Sequence, residues 1–173
     1  MKLINDSEVF QKDRPLTITN EQRNEVLTEV AKDIINWQLS KSDLEQIIAD
    51  LDEVYDSSSS GFEMAKELED GYNTFGYYTI NSQLVELLES LDRLANDKKR
   101  ENIKDWVKAH NIKPTLKKGD KVKLKLAPFF SLNVGDEVYV NYLKEDTAHY
   151  VIDKDPNRNG GIVVEYEKLE RCI

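Results

Sequence analysis

The apolar residues of this sequence change their spacing once, and that change decides the fold class. Over residues 20–112 they recur at intervals of three and four, the period of an amphipathic helix. From Lys117 onward they alternate with polar residues, the period of a strand that buries one face. The sequence therefore predicts an α+β fold with two domains. They are an acidic all-α bundle of about five short helices, residues 1–113, and a small SH3-like antiparallel β-barrel, residues 114–173.

Capping signals indicate where the helices begin. A Ser or Thr stands three residues before a Glu or Gln at Thr19 and Gln22, at Ser42 and Glu45, and at Ser60 and Glu63. The first of these helices is predicted over about residues 20–39, and the third is predicted to stop at Gly71. A fourth is predicted over residues 82–95. Asp97 can cap a fifth, which must stop before Pro114.

The negative charge lies in the first 70 residues. The net charge of the chain is −9, and residues 1–70 hold 17 acidic against seven basic side chains. A segment this acidic repels nucleic acid and anionic membranes and attracts basic surfaces. The predicted partner is therefore a basic protein or a ribonucleoprotein, with no membrane contact.

Four acidic residues of the first predicted helix, Glu21, Glu25, Glu29 and Asp33, stand four residues apart. This acidic row predicts a rod of negative charge about 18 Å long, at 1.5 Å per residue. Together with the acids of the next two helices it forms the candidate partner-binding face. Those further acids are Asp43, Asp50, Asp52, Glu53, Asp56, Glu63, Glu67 and Asp70.

Two other interpretations of these acids stay open. They can be an ordinary solvated surface, or they can hold Mg2+ for phosphodiester cleavage, which needs several converging carboxylates. The spacing disfavours the metal site, because it spreads the carboxylates along helix surfaces instead of directing them to one point. Like charges four residues apart also destabilise a helix, by about 0.2–0.5 kcal/mol per pair.

The candidate nucleic-acid contact is a lysine cluster in or beside the first predicted strand. Its members are Lys117, Lys118, Lys121, Lys123 and Lys125. The last three alternate with apolar residues and so share one face of that strand. Cations of this kind can contact a phosphate backbone, or they can serve only to keep other strands from adding to a sheet edge.

Motifs for catalysis, metal binding or nucleotide binding are missing from the sequence. The two histidines fall in different predicted domains, and the single cysteine, Cys172, has no local His or Asn partner. No glycine-rich phosphate loop occurs. The loop that begins at Asp153 resembles a calcium loop, but Arg158 and Val164 occupy positions that need Gly and Glu. We therefore expect no cofactor, no metal and no catalytic residue.

The order GFEMAKELEDG, LVELLESLD and IKDWVKAHNIKPTLKKGDKVKL, within about residues 61–126, resembles small accessory proteins of phages and prophages of Gram-positive bacteria. That group includes anti-CRISPR proteins that inhibit Cas9, several of which are acidic DNA mimics. The resemblance implies a phage protein that acts in the cytoplasm of a bacterial host. The single cysteine, which fits a reducing compartment, and the lack of an apolar signal segment favour the same location.

Three hypotheses follow for the function. The first is a non-catalytic inhibitor of a host nucleic-acid-targeting defence, with Cas9 as the expected effector, whose acidic helices mimic DNA. The second is an enzyme that cleaves nucleic acid, for example guide RNA. The third is a phage regulatory adaptor whose barrel binds nucleic acid. Turnover would separate the first two, and direct binding to DNA or RNA would favour the third.

Overall fold

The structure is a computed structural model that describes residues 14–72, 77–126 and 132–172. These residues form four helices and one antiparallel sheet, so the predicted α+β class is confirmed. The helices are α1 (Asn20–Asn36), α2 (Leu44–Val54), α3 (Gly61–Tyr72) and α4 (Ser82–Ala109). The strands are β1 (Lys121–Leu124), β2 (Glu137–Lys144), β3 (His149–Asp153), β4 (Ile162–Glu165) and β5 (Leu169–Arg171). None of these helices has the length and apolarity needed to cross a bilayer.

Two of the three predicted capping boxes are present. At α1 the Gln22 N–H donates to the Thr19 hydroxyl at 3.2 Å, and the Gln22 side chain accepts from the Thr19 N–H at 3.1 Å. Ser60 and Glu63 make the same reciprocal bonds at α3. At α2 the predicted box is wrong, because Asp43 is the N-cap and accepts the Gln46 N–H at 2.9 Å. Asp is as good a cap as Ser, so the residue next to the helix takes the role.

Helices α1 and α4 end in the same left-handed turn. Gln38 has φ +56° and Asn111 has φ +50°, a conformation that favours glycine and that Asn tolerates. The next N–H reaches back five residues to a carbonyl, Leu39 to Ile34 at 2.9 Å and Ile112 to Val107 at 3.0 Å. This Schellman turn ends α1 at residue 36, before the predicted end at residue 39. The predicted stop Gly71 lies inside the last turn of α3.

The predicted fourth and fifth helices are one continuous helix of 28 residues, α4. The prediction of two helices, and with it the count of about five, is wrong because the stretch around Asp97 contains no Gly or Pro to interrupt a helix. Asp97 is an exposed residue in the middle of α4. The true N-cap is Asn81, whose side chain accepts the Leu84 N–H at 3.0 Å.

The sheet has the strand order β4-β3-β2-β1-β5. Strands β1 to β4 pair consecutively, and β5 returns to pair with β1. Among the described residues β4 and β5 are the edges, so the sheet is not closed as the predicted barrel requires. Alternate residues such as Val138 and Val140 are buried, and a bulge at Asn141 shifts the register of β2.

The described residues divide into two compact units, each with its own core. The helical unit is residues 16–99, and the sheet unit is residues 14–15 and 100–172. This division lies inside α4 and not at the predicted boundary of 113/114. The physical reason is that Ile103, Trp106 and Val107 of α4 belong to the same apolar core as the sheet, whereas the first half of α4 packs with α1 to α3.

We expect Gly61→Ala to destabilise the protein by about 1–3 kcal/mol, because the new Cβ would overlap the backbone carbonyl of Val85 on α4. Gly71→Ala in the same helix is the matched control. Nothing lies within 4 Å of a Cβ there, and Ala favours a helix by about 1 kcal/mol over Gly. Thermal unfolding measures both variants. Equal midpoints for the two would contradict the close approach of α3 to α4.

Candidate functional site

The acidic row lies on the solvent side of α1 but winds around the helix axis. Glu21, Glu25 and Glu29 are exposed, whereas Asp33 is half-buried at the flank. A step of four residues exceeds the 3.6-residue turn, so each carboxylate is rotated by about 40° from the one before. The straight rod predicted from the sequence is therefore a winding strip.

Four shallow grooves on the helical unit are lined by carboxylates, and in one of them Asp56 and Asp92 are matched by Arg23 and Lys99. In the other three the carboxylates outnumber the cations. The first runs along α1 and contains the whole acidic row. The second lies between α1 and α2 and adds Glu45 and Asp52. The third lies between α2 and α3, and its carboxylates are Glu53, Glu63, Glu67 and Asp70.

The first and second grooves adjoin on α1, whereas the second and third lie on flanks of α2 that are about 100° apart around its axis. Asn24 lines both the first and the second groove. Asp52 in the second groove and Glu53 in the third are consecutive residues of α2. Ten carboxylates line the three grooves, together called the acidic surface, against three cationic side chains, Arg23, Lys32 and Lys66.

Most carboxylates of the acidic surface have no ion-pair partner among the described residues. Lys98 contacts Glu25 at 3.0 Å, and Arg23 contacts Asp52 at 2.7 Å. The other eight form no ion pair within that part of the chain. The helical unit holds 18 acidic and seven basic side chains, a net charge of −11, whereas the rest of the chain sums to +2. The surface is therefore a strong local source of negative potential.

Asp43 and Asp56, two members of the predicted face, lie outside the three grooves. Asp43 caps α2. Asp56 follows α2 in a turn, where its carboxylate accepts the Ser58 N–H at 2.9 Å. That hydrogen bond lowers the pKa of Asp56, and the hydrogen bonds from Ser60 lower the pKa of Glu63 in the same way. The carboxylates of Asp56 and Glu63 thus each accept hydrogen bonds from the backbone of a nearby turn or helix start.

Asp50 is buried, so its assignment to an exposed face is wrong. Its carboxylate accepts from the Gln46 side-chain amide and from the Tyr78 hydroxyl, both at 2.7 Å. The helical period places position 50 beside Ile47 and Leu51, which belong to the core. Two strong donors replace water around the carboxylate and make this burial tolerable.

The sequence analysis left Glu45 out of the partner-binding face, although it lines the second groove. Glu45 is exposed and stands seven residues before Asp52. Seven residues are about two helical turns, so both side chains lie on one side of α2. The spacing alone could have identified it.

The carboxylates do not converge as a metal ligand set. Within residues 14–72, 77–126 and 132–172, no group of three or more His, Cys, Asp or Glu side chains is placed to hold a metal ion. The loop with calcium-like spacing uses its carboxylates for turns. Asp153 accepts the Asp155 N–H and Asp155 accepts the Asn157 N–H, both at 2.9 Å.

The lysine cluster is divided by its surroundings. Lys121 forms an ion pair with Glu137 at 2.5 Å, and this contact raises the pKa of Lys121. Lys123 lies across the sheet from Glu137 on one side and Glu170 on the other. Lys125 is half-buried beyond the end of β1. Only Lys117 and Lys118, in the turn before β1, are exposed and without an ion pair in the described part of the chain.

A buried cation in the sheet unit was missed by the sequence analysis. Arg14 donates to the carbonyls of Thr147 and Ala148 at 3.2 and 2.9 Å and forms an ion pair with Glu167 at 3.0 Å. Its guanidinium lies 5.2 Å from the ring centre of Trp106. A lone arginine belongs to no periodic pattern, so no sequence signal marks it. Its carbonyl, carboxylate and ring contacts tie residue 14 to the turns at residues 147–148 and 167 and to α4.

Burial around Arg14 changes the ionisation of two neighbours. Desolvation, with the nearby positive charge of Arg14 as the second cause, lowers the pKa of His149 from 6.5 to about 4. Desolvation also raises the pKa of Glu167, in spite of its ion pair with Arg14. His149 is therefore a neutral side chain at physiological pH and carries no charge to this part of the sheet unit.

Comparison with known proteins assigns no family. Protein-family models, curated proteins and solved structures all gave no significant match to the chain. The function has to be inferred from the chemistry of the surfaces described above.

We expect the free energy of unfolding to fall as the pH decreases from about 6.5 to about 4, because His149 binds a proton over this range only in the unfolded chain. Replacing the imidazole in His149→Gln should remove that part of the pH dependence. Urea unfolding at several pH values across the range measures it. A parent-like pH dependence in His149→Gln would contradict the assignment.

Proposed function

We propose that the helical unit binds a basic protein surface of the kind that holds nucleic acid, and that it inhibits by occupying that surface. The observation that carries the proposal is the acidic surface. Ten carboxylates line three grooves on α1, α2 and α3 with only three cations, and eight of the ten form no ion pair among the described residues. A partner rich in Lys and Arg would supply the missing counter-charges.

The arrangement supports mimicry of a nucleic-acid backbone. Duplex DNA carries about one charge per 1.7 Å of axis, and proteins bind it by replacing condensed counterions with Lys and Arg. The acidic surface is a sparser array on three packed helices, whose backbones are held by a shared core. It can therefore displace the same counterions from a basic cleft without the cost of ordering a flexible chain.

The specific form of the proposal is a phage-encoded, non-catalytic inhibitor of a nucleic-acid-targeting defence in the bacterial cytoplasm, with a Cas9-like effector as its target. The resemblance of residues 61–126 to phage accessory proteins supports this context. An effector of this class holds its target DNA in a Lys- and Arg-rich channel. Lys117 and Lys118 are the candidate contacts with the guide RNA, because Lys121 and Lys123 already have acidic neighbours.

The SH3-like character of the sheet belongs to the same proposal. The meander β1 to β4, the return of β5 beside β1 and the 3-10 turn at Tyr166–Lys168 before β5 support it. Closure of the barrel is not part of the support, because β4 and β5 are not paired in the described residues.

Replacing the acidic row by Glu21→Gln, Glu25→Gln, Glu29→Gln and Asp33→Asn should weaken target binding by about tenfold or more at 0.15 M salt. The free energy of unfolding should hold or rise, because the like-charge repulsion along α1 is removed. The two measurements are DNA displacement from a Cas9–guide RNA complex, at increasing salt, and thermal unfolding of the free protein. If the neutral variant displaces DNA as efficiently as the parent does, the acidic row is only a solvated surface and takes no part in binding.

A matched control changes the charge of the other unit. Lys121→Gln, Lys123→Gln and Lys125→Gln together alter three charges, close to the four of the acidic row, but on the sheet. If the helical unit carries the binding, this triple variant should lose less than about threefold. A larger loss than that of the neutral row would favour the adaptor hypothesis, in which the sheet binds nucleic acid.

Displacement of DNA from the Cas9–guide RNA complex should be stoichiometric and should not change when EDTA is added. The reason is that the acidic surface acts by binding and that no metal-binding group lies within the described residues. The measurement titrates the protein against a fixed amount of the Cas9–guide RNA complex and also follows the length of the guide RNA. Inhibition should be complete near one equivalent with intact RNA. Shortened RNA at substoichiometric protein, abolished by EDTA, would replace this proposal with the nuclease hypothesis.

A further inference from the structure

Trp37 is a large aromatic residue whose side chain is exposed to solvent. It is 49% exposed at the C-cap of α1, in the helical unit. The backbone N–H of Trp37 donates to the Asp33 carbonyl at 3.0 Å. The Schellman turn through Gln38 restrains the backbone on the C-terminal side of Trp37. The backbone of Trp37 is therefore restrained, while about half of the residue's surface is exposed to solvent.

The position of Trp37 joins it to the acidic row. It stands four residues after Asp33, the same step that separates the members of the row, and it follows Asn36, which lines the first groove. Ile35, in the same turn of helix, is also exposed, at 38%. An exposed tryptophan that follows the last carboxylate of the row by one helical turn combines an apolar surface with a charged rim.

The chain itself shows what occupies an aromatic face in this protein. Arg23 lies 4.7 Å from the ring centre of Tyr55, and Arg14 lies 5.2 Å from that of Trp106. No guanidinium or ammonium lies over Trp37 within the described residues. Its neighbours Asp33 and Glu29 form no ion pair there, so both the ring and the adjacent carboxylates have capacity for an added cation.

We propose that Trp37 is the anchor of the interface, and that the partner places an arginine against its exposed indole while neighbouring cations bind the acidic row. This inference rests on the proposed function and names the residue chemistry that the partner must present. Arginine fits better than lysine, because its planar, weakly hydrated guanidinium stacks on an indole and still donates to a carboxylate. Tryptophan and arginine are also the residues most enriched at the energetic centres of interfaces.

The test uses the full chain and two defined probes, a nonapeptide of arginine and a nonapeptide of lysine, with equal charge. Isothermal titration gives both dissociation constants for the parent, Trp37→Ala, Trp37→Phe and the neutral-row variant. The parent should bind the arginine peptide more tightly than the lysine peptide. Trp37→Ala should weaken arginine-peptide binding by roughly threefold to thirtyfold and lysine-peptide binding by less, so that the preference is lost. Trp37→Phe should keep part of it.

Phe62→Ala is the matched control, since Phe62 is 64% exposed on α3 but lies outside the acidic row. It should leave the arginine preference unchanged. A fluorescence titration of the parent against Trp37→Phe reports the indole directly, and only the parent should lose Trp37 emission on adding the arginine peptide. This readout keeps the test informative if Trp37→Ala unfolds.

The outcomes separate the two proposals. If Trp37→Ala binds both peptides as the parent does while the neutral-row variant binds both more weakly, the anchor is overturned and the acidic surface stands. If the neutral-row variant binds both peptides as the parent does, the proposed function is overturned, and the anchor with it. Equal loss of arginine preference in Phe62→Ala would also overturn the anchor, because the effect would then belong to any exposed aromatic.

Discussion

A charged side chain can leave water only if other groups replace its hydration, and this constraint organises both units of the chain. Two charged side chains are buried among the described residues, Arg14 and Asp50. Arg14 has the carboxylate of Glu167 and two backbone carbonyls, and Asp50 has two side-chain donors. With so few buried sites supplied with partners, the excess acids of the helical unit must lie in contact with solvent.

The partners of Arg14 also explain how the sheet unit is composed. They come from the turn before β3 and from the 3-10 turn before β5, whereas Arg14 itself precedes the helical unit in sequence. The sheet unit is thus assembled from two separate stretches, residues 14–15 and residues 100–172. Neither junction is marked by composition, because one junction is next to a lone arginine and the other lies inside a helix without a breaker. A boundary inferred from the change of period could not have found either.

Local signals were predictable and nonlocal ones were not. The change of period gave the α+β class, and the capping boxes at Thr19 and Ser60 are present, because both depend on residues close in sequence. The helical period places Asp50 on the core side of α2, but a carboxylate is ordinarily exposed, and the Tyr78 hydroxyl that makes its burial tolerable is 28 residues away in sequence. Closure of a sheet likewise depends on pairing between distant edges, which turn residues do not specify. For the acidic surface, helical spacing predicted nine of the ten groove carboxylates. The first groove is lined by α1 alone, but the second and third come from the packing of α1 on α2 and of α2 on α3.

The distribution of acids along the helices runs against helix stability. Carboxylates are favourable near a helix N-terminus, where Glu21, Glu45 and Glu63 lie, and unfavourable near the C-terminus, by about 0.3–1 kcal/mol each. Yet Asp33 and Asp70 lie in the last turns of α1 and α3, where no basic residue lies. At α2 the cost is offset, because Arg23 pairs with Asp52 and donates to the carbonyls of Asp52 and Tyr55. A surface shaped only by solubility could place the same charge at the other ends at no cost. Local arrangements that reduce stability without a local gain are characteristic of functional sites, and here they coincide with the grooves. At the ends of α1 and α3 these acids leave a local negative charge, which is the charge that the proposed basic partner would neutralise.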